Sequence, residues 1–207
     1  MAESAEPAYQ HRVLESLASA ELHRVADGLE RITLSELDPD LLGELRTRFE
    51  GDERVTVREL DVTGAPEGSH SAVVAYNVLV HIEDHLGALR SAQKLVRPGG
   101  AIVILVPAFE FAMSRFDHDI GHYRRYTKET LGAACRDGGI ELEQLACVNA
   151  PGLLAWLVAM KWLKREPGEG VLLRTWDRFV VPVARRAEAL KSPPFGQSHL
   201  AVGRSSG

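Results

Sequence analysis

The chain has 207 residues, of which 45% are apolar and 26% charged, and its net charge is -5. That length and balance suit one α/β domain with a sizeable core. The acidic net charge argues against binding nucleic acid, because no basic excess is present to neutralise phosphates. Two cysteines, Cys135 and Cys147, stand outside any paired CxxC motif, which points away from a disulfide framework or zinc site and toward a reducing, cytoplasmic setting. No basic n-region followed by an apolar run opens the sequence, and the most apolar stretch, 152–163, is short and contains Lys161. Neither secretion nor a membrane span is expected.

Residues 1–8 read as a flexible polar leader. From 9 to 28, Leu14, Ala18, Leu22 and Val25 recur at helical spacing until Asp27-Gly28 breaks the pattern. Residues 31–37 alternate as a short strand, and a helix from Pro39 to about Phe49 buries Leu41, Leu42 and Leu45. A second strand, 55–62, closes on 63–66. The stretch 72–80 is almost wholly apolar, as a strand buried on both faces must be, and 101–106 has the same character. Between them Leu86, Leu89, Ala92 and Val96 give an amphipathic helix, stopped by a turn at 97–100. Two buried strands joined through one helix make a parallel βαβ unit.

A polar, aromatic loop over 110–126 then leads to a helix at 127–137, a strand at 140–147, two amphipathic helices at 152–164 and 171–190, and a last strand at 198–202. The alternation predicts a single-domain, doubly wound, mostly parallel sheet with a helical insertion, 151–190, before the last strand. That insertion gathers Trp156, Trp162 and Trp176. Core packing is the leading reading of this stripe, with an apolar substrate roof, a second subunit or a partner protein as alternatives.

His81 and His85 stand at i, i+4, a metal-chelating spacing on a helix, but His85 opens its own amphipathic run and no metal site is predicted. Asp117, His118, Asp119 and His122 cluster in the loop after 101–106, where ligands bind in open α/β sheets. A base there would act on a substrate hydroxyl or amine. Arg124, Arg125 and Lys128 read as a small patch of solvated surface.

The run NVLVHIEDHLGALRSAQKLVRPGGAIVILVPA, with ITLSELDPDLL, VTVRELDV and HYRRYT, resembles class I S-adenosylmethionine-dependent methyltransferases. The resemblance implies a Rossmann-like sheet and methyl transfer to a small-molecule acceptor. It places Glu36 at the cofactor ribose, Asp61 and Val62 at the adenine, and Asn77 at the methionine moiety. His122 and His81 become the candidate catalytic residues, working beside catalysis by proximity.

One departure from the family pattern stands out. The glycine-rich loop that follows the family's first strand brings backbone N–H groups to the cofactor, yet Gly28 is the only glycine before Gly43. Either the first strand, its loop and its helix are deleted, which is the preferred reading, or 12–17 is a degenerate first strand. On the deletion reading, S-adenosylmethionine binding is expected to be severely weakened or absent. The alternative function is a catalytically inactive methyltransferase-like interaction or scaffold module.

Overall fold

The computed structural model describes residues 29–59, 68, 70–162 and 176–206. The expected leader, the helix over 9–28, and Asp61 and Val62 lie outside the described residues. The chain divides into two compact units, Met1–Ala65 and Pro66–Gly207.

In the first unit β1 (Ile32–Glu36) and β2 (Val55–Glu59) pair in parallel, Ile32 opposite Val55 and Glu36 opposite Glu59. The helix between them, α1 (Pro39–Arg48), starts where expected. Proline at the first helical turn lacks only an N–H that would have gone unbonded, and the Asp38 carboxylate accepts from the N–H groups of Asp40 at 2.9 Å and Leu41 at 3.2 Å. Leu41, Leu42 and Leu45 form its buried face.

The second unit holds a four-stranded sheet in the order β3-β4-β6-β5, with β3 at His70–Tyr76, β4 at Val96–Pro107, β5 at Ile140–Val148 and β6 at Ser198–Ser205. Strands β3 and β4 are parallel, joined through α2 (His85–Leu95). Strand β6 runs antiparallel to both β4 and β5, so β3, β4 and β5 share one direction. The sheet is therefore mixed, with three of four strands aligned. One face packs on helices: Ile102, Ile104, Val106, Ile140 and Ala201 meet Ala88 and Leu89 of α2 and Leu131, Ala134 and Cys135 of α4 (Lys128–Asp137). Cys135 and Cys147 are free and buried, and burial pushes the Cys135 thiol up to about 11, which leaves it unreactive.

Three expectations are corrected here. Strand β3 is not buried on both faces. It stops at Tyr76, and Leu79–His81 forms one 3-10 turn. Ala72, Val74 and Tyr76 stand opposite Ala101, Val103 and Leu105 of β4 on one face, and there Val74 and Tyr76 are more than half exposed. The expected turn at 97–100 is a bulge inside β4: His70 faces Val96 while Ala72 already faces Ala101, and Gly99 takes up the irregularity at φ +72°. A Cβ on Gly100 would stand 2.7 Å from the Val96 Cβ and 3.1 Å from the Ser71 carbonyl oxygen, so the bulge also needs that glycine.

The helical insertion also differs in kind. Helix α5 (Ala150–Trp156) continues into a π-helical segment, Leu157–Trp162, and a second π-helical segment, Trp176–Val180, leads into α6 (Val181–Leu190). The expected loop over 110–126 contains a 3-10 turn, Glu110–Ala112, and a short helix, α3 (Arg115–Asp119). Among the described residues no helix is long and apolar enough to cross a membrane.

Leu131 is wholly buried at the centre of the helix-covered face. Its replacement by alanine is expected to lower unfolding stability by about 2–5 kcal/mol, read from urea denaturation; an unchanged midpoint would contradict this core assignment.

Candidate functional site

Because β3 and β4 are parallel neighbours, they end at the same rim of the sheet, Tyr76 beside Leu105. The loops that follow them, 77–84 and 108–126, emerge together, the place where open α/β sheets bind ligands. Several bonds join the two loops. The Tyr123 N–H donates to the Val80 carbonyl at 2.9 Å, and the Arg124 guanidinium donates to the carbonyls of Ile82 at 2.8 Å and Glu83 at 2.9 Å. His85 Nδ1 lies 2.8 Å from the Tyr126 hydroxyl. Tyr126 is itself fixed to the end of β4, its N–H donating to the Pro107 carbonyl at 3.1 Å and its carbonyl accepting from Phe109 N–H at 2.7 Å.

The centre of the second loop is Asp117, whose side chain is fully buried. Ser114 opens α3 as its N-cap, and the two residues bond reciprocally. Asp117 Oδ2 accepts from the Ser114 N–H at 2.8 Å and hydroxyl at 2.7 Å. Its Oδ1 accepts from His122 Nδ1 at 2.9 Å and from Arg125 Nε at 3.0 Å and Nη2 at 2.8 Å. The Arg125 Nη1 donates to the Ala108 carbonyl at 3.3 Å, and its guanidinium carbon stands 4.8 Å from the centre of the Trp156 ring. Trp156 in turn donates its indole N–H to the Ala112 carbonyl at 3.0 Å and meets Phe116 edge-on. Helix α5 of the insertion thereby covers the loop.

Burial alone would raise the Asp117 carboxyl, but the bonds from His122 and Ser114 and the charge of Arg125 outweigh it and hold the group down at about 2. The carboxylate stays ionised. With His122 Nδ1 committed to it, the hydrogen-bond pattern assigns that nitrogen the proton and leaves Nε2 for a ligand. Burial lowers His85 first of all, with Arg124 adding to the effect and Asp84 opposing it. Burial is also the main cause that lowers His199.

His122 and His81 are brought together, their rings 4.6 Å apart and edge-on. His81 lies in the 3-10 turn and His85 opens α2, so no single helix carries both; among the described residues no group of three His, Cys, Asp or Glu side chains could hold a metal. Arg125 is not solvated surface but an almost fully buried ion-pair partner. Trp156 was read only as part of an apolar stripe, and its indole contact across the loop has no local sequence signal. The spacing Ser114-x-x-Asp117 did carry one, as a capping box.

Each unit carries one described residue that the resemblance assigns to S-adenosylmethionine. Asn77, just past β3, has a left-handed backbone at φ 56°, and its Oδ1 is buried with no hydrogen-bond partner. An orphaned acceptor of this kind costs about 1–3 kcal/mol and suits a ligand donor. Glu36, at the end of β1, directs Oε1 to its own neighbours, accepting from Leu37 N–H at 2.7 Å and Asp38 N–H at 3.1 Å; Asp38 caps α1. The glycine-rich cradle for the methionine end is missing from the sequence.

A methyltransferase-domain family model matches residues 14–104. Both readings of the segment ahead of β1, a deletion and a degenerate first strand, lie outside the described residues. Among solved structures, a chain of the complex between the Haloferax volcanii Trm112 methyltransferase activator and a methyltransferase is similar at TM-score 0.60 and 15% identity, over 95% of this chain and 79% of that one. An S-adenosylmethionine-dependent methyltransferase from Mesorhizobium loti is similar at 0.59 and 15%, over 89% and 85%. The N-methyltransferase NodS from Bradyrhizobium japonicum, solved with S-adenosylhomocysteine, is similar at 0.56 and 15%, over 98% and 90%. These likenesses show an α/β Rossmann-like methyltransferase fold. No curated protein matches the sequence.

The state of Asp117 sets an acid response. A carboxyl lowered in the fold stabilises it above the ordinary carboxylate range, and that stability disappears as the pH falls from about 4 toward 2. The loss is on the order of 2 kcal/mol, measured by urea denaturation across that window. Asp117→Asn is expected to be less stable at neutral pH and flatter in this window; an equally steep acid loss in the variant would contradict the assignment. His85 and His199, lowered by burial, remove further stability as the pH falls below about 6.5.

Proposed function

We propose that this chain is a class I S-adenosylmethionine-dependent methyltransferase, in keeping with the methyltransferase-domain match over residues 14–104, and that it transfers a methyl group to a small-molecule acceptor with His122 as the base. The observation that supports this reading is the imidazole held through Nδ1 by an ionised, buried Asp117 at the rim of two parallel strands. Nε2 is the atom that takes the proton from an acceptor hydroxyl or amine, which frees its lone pair for attack, while the Asp117 carboxylate keeps the ring oriented through Nδ1. His81, edge-on to His122, is the second proton-carrying group of the proposal. Trp156 and Arg125 close the inner side of the loop against water.

When bound, S-adenosylmethionine would supply an activated methyl group. Asn77 is proposed at its methionine moiety, Glu36 at the ribose and Asp61 with Val62 at the adenine. Binding is weak on this reading, because the backbone donors of the glycine loop have no counterpart in the sequence. The protein is placed in the cytoplasm, in keeping with its two free, buried thiols.

A second reading is supported by the uncovered sheet face at Val74 and Tyr76 and the missing loop: an inactive methyltransferase-like module that binds a partner. The chain similar to the Haloferax volcanii methyltransferase complex gives this reading a precedent, in that protein, for an activator partner. Here the proposed docking surface is the 151–190 insertion, where Leu154, Phe179 and Val183 are exposed, for a partner protein or a second copy.

Calorimetric titration with S-adenosylmethionine is expected to give an affinity weaker than micromolar, less than about 8 kcal/mol of binding free energy; a micromolar constant would overturn weak binding. Transfer of a labelled methyl group to a panel of phenols, amines and carboxylic acids at saturating cofactor distinguishes the two functions. His122→Ala is expected to lower turnover by about 10²–10⁴-fold while cofactor affinity is unchanged. Folded protein that transfers no label to any acceptor leaves the second reading.

A further inference from the structure

Asp117 is saturated in a way that an isolated histidine–carboxylate pair is not. Three of its contacts fall on one oxygen, Oδ1, and two of these come from Arg125. A bare carboxylate beside an imidazole does two things, orienting the ring by accepting from its N–H and drawing a second proton onto it by charge. The guanidinium, always protonated, cancels the second effect and keeps the first. It is well fixed for this, by the Ala108 carbonyl at 3.3 Å and the Trp156 ring at 4.8 Å. Seen from His122, the Asp117–Arg125 couple is a hydrogen-bond acceptor without net charge.

The remaining groups around the centre are few. His81 faces the His122 ring at 4.6 Å from the turn after β3. Glu110 reaches the couple from the 3-10 turn, its Oε2 accepting from the Arg125 backbone N–H at 3.1 Å. Ser114 occupies Asp117 Oδ2. We infer that Arg125 is a positioning residue acting through Asp117: it lets the carboxylate fix His122 as the neutral Nδ1–H tautomer, with the Nε2 lone pair directed to an acceptor proton. The inference rests on the reading of His122 as the base.

The test needs neither cofactor nor acceptor, so its failure is separate from any failure of methyl transfer. Long-range ¹H–¹⁵N spectra of the full chain, labelled on histidine, are recorded from about pH 5 to 9, the span over which imidazole changes charge. The His122 signals are identified by their loss in His122→Gln. In the native protein the ring is expected to carry its proton on Nδ1 and none on Nε2 at about pH 7.5. Arg125→Met, which leaves the carboxylate uncompensated, is expected to raise the His122 titration midpoint by about one pH unit, a tenfold change in proton affinity. Arg125→Lys, which keeps the charge, should hold the midpoint within about 0.3 unit. A native ring protonated on Nε2, or an unmoved midpoint in Arg125→Met, overturns the inference. Should Arg125→Met fail to fold, Asp117→Asn decides: removing the acid and leaving the guanidinium lowers the midpoint, and a raised or unmoved midpoint overturns the inference equally.

Discussion

A single buried carboxylate organises the end of the larger sheet. Removing Asp117 from water is costly, several kcal/mol for an ion even after relaxation, and it is tolerated only because every direction from which the group is approached brings a donor. Ser114 comes from the start of α3, His122 from the end of the same loop, and Arg125 from the segment entering α4. Ser114 and His122 also donate their backbone N–H groups to Asp117, and Arg125 donates its own to Glu110, so these bonds tie the chain from 110 to 125 together. Arg125 then extends the constraint to Trp156 and helix α5. A buried ion pair of this kind adds little net stability compared with apolar packing. What it contributes is a defined geometry for the loop and for the His122 ring.

The sheet shows where geometry is less constrained. Its helix-covered face is packed by Ile102, Ile104 and Val106 at or near zero exposure, while the opposite residues of β3 are open. The same strand therefore meets two different demands. Val73 packs toward the core, whereas Val74 and Tyr76 present apolar surface of the kind that natural proteins cover or use. The edge strand also ends in a left-handed asparagine. Both features lie on the strand next to the loops of the candidate site.

Much of this was legible in the sequence, and the reasons are local. Strand β4, helix α1 and helix α4 follow from hydrophobic period, a proline at a first turn, and a threonine cap before the helical run, all signals carried within a few residues. His122 and His81 each lie in a loop that follows a strand of a parallel pair, and the structure brings their rings together. The misreadings concern relations between distant residues. An apolar run such as 72–80 looks the same whether one face or two are buried, since periodicity does not report what covers a strand. Arg125 looked like surface because a charged residue between Arg124 and Tyr126 has no local mark of burial; its partner is eight residues away and its stacking ring thirty-one.

Asn77 and His122 bear on function through opposite forms of the same argument. Asn77 is a polar group left incomplete, its Oδ1 buried without a donor and its backbone held in a region that side chains rarely adopt. His122 is a polar group completed on one side only, with Nδ1 committed to Asp117. Folding alone explains neither arrangement, because a chain selected only for stability would gain by satisfying the first and by replacing the buried ions around the second with apolar side chains. Both stand at the rim where β3 and β4 end. A ligand that donates to Asn77 would offset the cost of the first, and one that meets Nε2 of His122 would use the orientation of the second.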